Sequence, residues 1–414
     1  MAGKARRRKA ALDVEVVSDA AEAAALRADW DRLAAAAATG PAMTPALALS
    51  WWEHLGRGSL ALVIARTAGG EVVALAPLHR RAGVGGRTWR WLGHGTGVVG
   101  EVIADPADPR DGPGAIVDRL GELGARLHLL EARPEGGGVQ ELRRSGRWRT
   151  DARVRDRCPV LDLAGVNSLD ALLSDRRNLR HLLSRSERRA ADAGGWTVEA
   201  AATPAEVRRV LDAVRAVYDE AERNRPRWHV LAGDLAPFGR AVLERAAASE
   251  QVLVLVGRVG GRPVAFDVWI RCGQRMSAWI GRFDPAYAEF TPGHLLVGEA
   301  VRRGISDGVR LLDLQIGDSD YKRRWANGGY DTYEIVATGP AAGQLAVLRA
   351  GSHATERLAG LRASLRRVSA AEPARGDGRD LREPRGGAAL EHDGRLVLGP
   401  ARRSTAQPQG EPGG

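Results

Sequence analysis

The order of elements along this chain predicts a mixed α/β (α+β) fold assembled twice in tandem, each copy a mainly antiparallel mixed sheet flanked by helices. Three observations carry that reading. The chain has 414 residues, 44% of them apolar, which is too long for one small core and sufficient for two. Each half alternates helical and strand patterns with an antiparallel hairpin in its interior. The hairpins resemble one another: Ala61–Leu78 and Val252–Trp269 are both apolar strand pairs closed by a Gly-Gly turn and continued by Val-Ala.

The elements follow from local pattern. Residues 1–12 read as a disordered basic arm, because they lack apolar periodicity. A 3.6-residue period predicts helices at 20–38 and 46–56, and alternation predicts strands at 60–66 and 71–80, joined by the turn Thr67-Ala-Gly-Gly70. Strands at 87–93 and 100–104, a helix at 113–124, a buried strand at 127–131, a helix at 137–145 and a strand at 148–154 complete a first domain, 13–158. The second domain, 159–345, opens with strand 159–163, a helical pair within 168–193, strand 196–201 and helices at 204–223 and 234–248. A meander of 251–259, 262–271 and 274–281 turns at Gly260-Gly261 and Cys272-Gly273, and helix 293–307 leads into strand 310–314. A helical extension is expected at 346–371. Beyond 372 a Gly-, Pro- and Arg-rich tail cannot support a core.

Composition removes several classes. Cys158 and Cys272 are too few and too isolated for a disulfide framework or a zinc site, and no metal is expected. No apolar run of about 18 residues occurs and no leader-like segment follows Met1, so the expected setting is cytoplasmic, without a transmembrane segment. Gly-x-Ser-x-Gly, Walker A, His-Glu-x-x-His and Cys-x-x-Cys are missing, which argues against serine hydrolases, P-loop NTPases and zinc proteases. The net charge of +10 is compatible with an anionic partner, but it is spread along the chain. Lys4, Arg6, Arg7, Arg8 and Lys9 leave peripheral membrane contact open.

Three segments could carry chemistry. Lys322 is one of three lysines among 61 basic residues, so its survival in an arginine-rich chain hints that a compact ammonium is wanted there. It lies in Asp313-Leu-Gln-Ile-Gly-Asp318-Ser-Asp-Tyr321-Lys322-Arg-Arg-Trp325. A helical turn over 319–326 would put Asp318 near its N-cap and Tyr321 and Trp325 on one face, flooring a pocket; the same pattern would serve a core anchor with a Lys322–Asp318 ion pair. The second segment runs from Trp279 and Arg282 through Asp284, Tyr287 and Thr291 to Gly293 and His294, a strand end, a loop and a helix start. Helix-start amides can hold an anion, and a turn capped by Thr291 would look the same. The third, Asp175–Arg189, is an amphipathic helix whose arginine face could hold phosphates or be merely solvated. Its arginines lack interleaved aromatic residues, so base-stacking readout has little support.

Several pieces in order look like a known family: Trp30-Asp-Arg-Leu33, Ser50-Trp51-Trp52-Glu-His-Leu-Gly56, Val73–Leu78, Trp91-Leu-Gly93-His94, Asn178-Leu-Arg180, Gly260–Ala265, Phe283-Asp284-Pro-Ala-Tyr287, Pro292-Gly293-His-Leu-Leu296 and Asp318-x-x-Tyr321-Lys322-x-x-Trp325. Over about residues 25–340 the chain resembles GNAT-superfamily proteins of the cellulose-biosynthesis CelD type (BioF2-like), with Fem-type aminoacyl transferases as distant relatives. The resemblance implies two tandem GNAT domains and an N-acyltransferase moving an acyl group from acetyl-CoA or another acyl-CoA to an amine of a sugar, peptide or envelope precursor. A Fem-like enzyme would take the acyl group from aminoacyl-tRNA instead, and a degenerate protein would only bind a ligand in polysaccharide assembly. Asp284, Asp318, Tyr321 and Lys322 become the expected catalytic groups. Arg282, Thr291, Gly293 and His294 would contact the donor, and Tyr287, Trp279 and Trp325 the substrate. The usual Gln/Arg-x-x-Gly-x-Gly/Ala loop of acetyl-CoA users is not present in the segment before helix 293–307.

Overall fold

The computed structural model describes residues 12–339 apart from 84–85, 98, 109, 135 and 224–228. Most of the expected basic arm, the helical extension at 346–371 and the tail from 372 lie outside the described residues. The first half runs β1 (Asp13–Val17), α1 (Ala20–Ala25), α2 (Arg27–Ala36), α3 (Pro45–Leu55), β2 (Ser59–Arg66), β3 (Val72–Gly83), β4 (Gly86–Trp91), β5 (Ile103–Ala104), α4 (Gly112–Glu122), β6 (Arg126–Ala132) and α5 (Gly137–Arg144). Strand β7 (Arg149–Asp162) leads into α6 (Leu169–Leu173), α7 (Arg177–Asp192), β8 (Trp196–Ala201), α8 (Pro204–Glu222) and α9 (Ala236–Ala248). The second half ends with β9 (Val252–Val259), β10 (Arg262–Cys272), β11 (Arg275–Phe283), α10 (Pro292–Ser306), β12 (Leu311–Asp313), α11 (Asp320–Trp325) and β13 (Gly328–Thr338). The mixed α/β class and the two hairpins, β2–β3 and β9–β10, are present as expected.

Local chemistry sets the helix ends. The carboxylate of Asp19 accepts from the amides of Ala21 and Glu22 at the start of α1, and Thr44 caps α3 just before Pro45. Thr203 and Glu206 form a reciprocal capping box on α8. The single helix expected at 20–38 is interrupted at Leu26, which serves as the C-cap of α1 and the N-cap of α2.

The described strands form one sheet in the order β1-β2-β3-β4-β6-β13-β7-β12-β11-β10-β9-β8, with β5 beside β3. Two features differ from the expectation. The strands expected at 148–154 and 159–163 are parts of one strand, β7 (Arg149–Asp162), so the expected boundary between 158 and 159 falls inside a strand. And β13, which the pattern did not announce, inserts between β6 and β7, pairing antiparallel with both. The last strand of the chain therefore lies in the middle of the sheet.

One core spans the two halves. Trp30, Leu33, Met43, Leu62 and Ile64 from the first half pack in the same cluster as Val214, Tyr218, Phe238, Leu243 and Phe266 from the second. Separate clusters cover the outer faces, one under α4 and α5 and one under α7 and α10. Polar bonds tie the join: Arg245 on α9 donates to Ser50 (2.9 Å) and Glu53 (2.5 Å) on α3, and Gln251 donates to Asp31 on α2 (2.8 Å). At the sheet centre Asp313 is fully buried and accepts from the Tyr330 hydroxyl (2.7 Å) and the Gln315 amide (2.8 Å), with the Arg275 guanidinium at 3.1 Å. Arg275 also donates to the Ala38 carbonyl of the first half (3.0 Å). The Tyr330 ring lies 5.4 Å from the Arg133 guanidinium and 5.6 Å from that of Arg275, so residues of both halves converge on it.

Removing one partner from a buried ion pair leaves an uncompensated charge. Asp313→Ala is therefore expected to cost about 3–5 kcal/mol of unfolding free energy. Asp331→Ala, which breaks the exposed Arg157–Asp331 pair, should cost under about 1 kcal/mol. Urea denaturation of the two variants measures the difference.

Candidate active site

In the second half β11 and β12 run parallel, but only Arg275–Ser277 pair with Leu311–Asp313. Strand β11 continues to Phe283 bonded to β10 alone, while the chain leaving β12 turns away through Gln315 in the left-handed region (φ 59°). The result is a cleft whose wall is the edge of β11 over 278–283, with no ladder partner among the described residues. Polar groups without partners gather at its base: the Ser277 hydroxyl and both side-chain amide atoms of Gln315 are buried and unbonded among the described residues. Such orphans are costly unless a ligand or water meets them.

Beyond β11, residues 284–291 form an irregular loop into α10. Asp284 caps its first turn by accepting from the Ala286 amide (3.0 Å), and it sits 3.6 Å from Arg262, whose guanidinium lies 5.6 Å from the Tyr287 ring. Asp284 is buried, whereas the loop residues 285–289 are exposed or half-exposed. Thr291 occupies the left-handed region at φ 43°, a strained conformation for a β-branched residue. Its hydroxyl does not cap α10, which was one of the two readings the sequence allowed; it bonds Ser186 on α7 at 2.6 Å.

The first turn of α10 is covered. Pro292, Gly293, His294 and Leu295 are all buried, and the Tyr321 hydroxyl donates to the Gly293 carbonyl at 3.0 Å. Trp325 donates its indole N–H to Nδ1 of His294 at 2.9 Å. Burial pushes the His294 imidazole down to about 3, with Arg324 adding to the shift, and a neutral ring suits its role as acceptor. The helix-start amides therefore belong to buried residues, and that of His294 is already bonded to the Thr291 carbonyl at 2.9 Å.

Lys322 is 3% exposed. Its ammonium donates to the carbonyls of Gln315 (3.2 Å) and Ile316 (2.5 Å), the two residues that turn the chain out of β12. The Lys322–Asp318 ion pair considered above is replaced by another: Asp318 pairs with Arg323 at 3.0 Å and remains 39% exposed. Ser319 stands at the N-cap position of α11, and Asp318 lies just before it, near the cap as the spacing placed it.

Trp279 and Arg282 belong to the opposite face of β11. Arg282 pairs with Glu222 of α8 at 2.7 Å and its guanidinium lies 5.1 Å from the Tyr218 ring, which stacks on His229. Trp279 meets Phe238 of α9 edge-on. Thus the candidates divide into a buried unit (Gly293, His294, Tyr321, Lys322, Trp325), a rim (Asp284, Tyr287, Asp318, with Thr291 behind it) and a pair on the far side of β11 (Trp279, Arg282). Glu222 escaped notice in the sequence. It falls on the apolar stripe Val207, Val210, Val214, Tyr218 of α8, and a carboxylate on such a stripe is the signal that was available.

Residues 177–323 match the family model described as the acetyltransferase (GNAT) domain. The second half has a GNAT fold. No curated protein sequence matches the chain. Among solved structures, similar ones include the C-terminal domain (DUF2156) of a protein described as a lysylphosphatidylglycerol synthetase from Agrobacterium fabrum (15% identity, 80% of this chain and 95% of that one, TM-score 0.53). FemX is similar at 10% identity over 78% of this chain and 96% of that one (TM-score 0.53), as is a conserved protein of unknown function from Bacteroides thetaiotaomicron (9%, 79% and 100%, TM-score 0.51). At these identities the likeness is one of fold, and it extends over both halves.

Two measurements test the buried unit. Lys322→Met leaves two carbonyls without a donor and is expected to cost about 1–3 kcal/mol, whereas Asp318→Asn at the surface should change stability by under about 1 kcal/mol. The second concerns acid. The unfolded His294 binds its proton near pH 6.5 and the folded one only near pH 3, so its contribution to stability falls as pH drops through that window, by about 1.4 kcal/mol per pH unit. Urea midpoints from pH 7 to pH 4 should fall less steeply in His294→Gln.

Proposed function

We propose that the chain is an N-acyltransferase in which the second-half cleft holds an acyl donor along the edge of β11 and transfers its acyl group to an amine. The observation that carries this is the parting of β11 from β12 after three residue pairs, in a domain that matches the acetyltransferase (GNAT) model. An unpaired strand edge offers alternating N–H and C=O groups, which suit an extended, amide-bearing arm such as that of acyl-CoA. Attack by the neutral amine nitrogen on the acyl carbon forms a C–N bond and breaks the bond to sulfur or oxygen. The nitrogen loses a proton and the leaving group takes one up. No covalent enzyme intermediate is required.

The roles follow from access. Asp318 and Tyr287 present reachable polar atoms, so Asp318 is assigned to orient the amine and accept its proton, and Tyr287 to protonate the leaving group. Asp284 holds the loop that carries Tyr287. Tyr321 and Lys322 position the cleft walls through their backbone bonds, and Arg282 with Trp279 shapes the side facing α8 and α9, where Glu222 adds a carboxylate.

A second reading rests on the covered start of α10. With Gly293 bonded to Tyr321 and no Gly-rich loop there, a CoA pyrophosphate lacks its usual seat, and an aminoacyl ester donor as in the Fem type becomes the alternative. The names of the similar structures, FemX and a lysylphosphatidylglycerol synthetase, are in keeping with it. The acceptor in either case is an amine of a small molecule or an envelope precursor.

Thiol release from acetyl-CoA and longer acyl-CoAs, and deacylation of charged tRNA, measured with and without glucosamine or free amino acids, decide between them. Amine-dependent turnover with one donor class is expected, reduced about 10²-fold or more in Asp318→Asn and in Tyr287→Phe. Unaltered turnover in a folded double variant would remove these residues from the mechanism. Failure of every donor to bind by calorimetry would favour a non-catalytic ligand-binding protein.

A further inference from the structure

A second cavity, of about 570 Å³, lies in the first half, on the outer face of the sheet away from the shared core. Arg80 on β3, Arg87 on β4 and Arg119 in the last turn of α4 line it, with Trp89 beneath and Val14, Val16 and Leu123 along one wall. Strand register explains the convergence. Arg80 pairs with Trp89, and Arg87 lies two residues before Trp89 on the same face, so both guanidinium stems rise from the sheet towards α4.

The charge in this cavity is not balanced. Among the described residues neither Arg80 nor Arg87 has a carboxylate partner. The one acidic residue in the lining, Glu15, is held by Arg66 at 2.8 Å. Arg119 bonds Glu122 at the rim, 3.0 Å away. The Nε–H groups of Arg80 and Arg119 are buried without an acceptor, and the Arg80 guanidinium is kept in place 5.4 Å from the Trp89 ring centroid. Pre-positioned guanidinium forks with unmet N–H donors match the oxygens of a phosphate. The cavity is larger than phosphate alone requires, and Leu123, 42% exposed, adds an apolar rim.

We propose that this cavity binds a phosphate-bearing organic anion, its phosphate held by Arg80, Arg87 and Arg119 and its remainder resting on the wall of Val14, Val16 and Leu123. The phosphate belongs either to a free metabolite or to a lipid headgroup. This site is separate from the β11 cleft and does not depend on the function assigned there.

Calorimetric titration of the full chain with pyrophosphate and with ADP, and flotation with phosphatidylcholine vesicles containing phosphatidylglycerol, test it. Arg87→Gln is exposed and should retain the unfolding midpoint; Arg80→Gln/Arg87→Gln removes both unpaired charges, and Arg208→Gln on α8 is the control. Saturable one-to-one binding, weakened about tenfold or more in Arg87→Gln and further in the double variant but unchanged in Arg208→Gln, is expected. Response to pyrophosphate or ADP marks a free ligand, and response to vesicles alone marks a lipid. No binding by any probe overturns the proposal. So does binding that survives in the double variant, which would trace to basic residues elsewhere, such as those at 4–9.

Discussion

The carboxylate of Asp313 is the point on which both the join and the cleft depend. One of its oxygens takes the Tyr330 hydroxyl and faces Arg275, so it fixes β13 in the centre of the sheet and, through Arg275 and Ala38, reaches the first half. The other accepts the amide of Gln315, whose left-handed turn ends β12 after three residues. The same group that closes the sheet therefore opens the gap beside β11. A fully buried carboxylate tolerates this position only because each oxygen has partners. Loss of the pairing would loosen the cleft and the join together.

The insertion of β13 changes what a domain means in this chain. The first half cannot complete its sheet from its own residues, since β6 pairs with a strand that arrives after α11. The shared core of α2, α3, α8 and α9 adds a second dependence, because much of the apolar surface of each half is covered by the other. Motion of one half against the other would expose that surface and break the β6–β13–β7 ladders at once. The cleft is consequently carried on a single continuous sheet, which favours a site whose walls keep their spacing.

Much of this was legible in the sequence, and the failures have physical causes. The 3.6-residue and two-residue periods located α3, α8, α9 and α10 within two residues and the strands of the two hairpins within three. Strand β13 was missed because Asp331, Thr332 and Glu334 break its apolar run; Thr332 is buried by bonding Glu131 of β6, a partner about 200 residues away. Strand β7 was divided in two between 154 and 159, where Arg155 is half-buried against Glu131 and Arg157 pairs with Asp331 across the ladder to β13. For the candidate segments, spacing did not give the directions of their side chains. Spacing placed Tyr321 and Trp325 on one face of α11, yet nothing local revealed that this face is turned inward onto Gly293 and His294.

Lys322 shows why such a signal is ambiguous at its source. An arginine-rich chain keeps a lysine where a compact ammonium is needed, and two environments ask for one: a site that holds an anion, and a tight turn whose carbonyls converge. The structure supplies the second. The carbonyls of Gln315 and Ile316 belong to adjacent residues and point to one buried spot, where a planar guanidinium spreads its donors too widely to serve both. That turn is the exit from β12, so the lysine helps to fix where the chain leaves the strand. A charge placed on backbone oxygens holds the turn together, and from sequence the two kinds of lysine look the same.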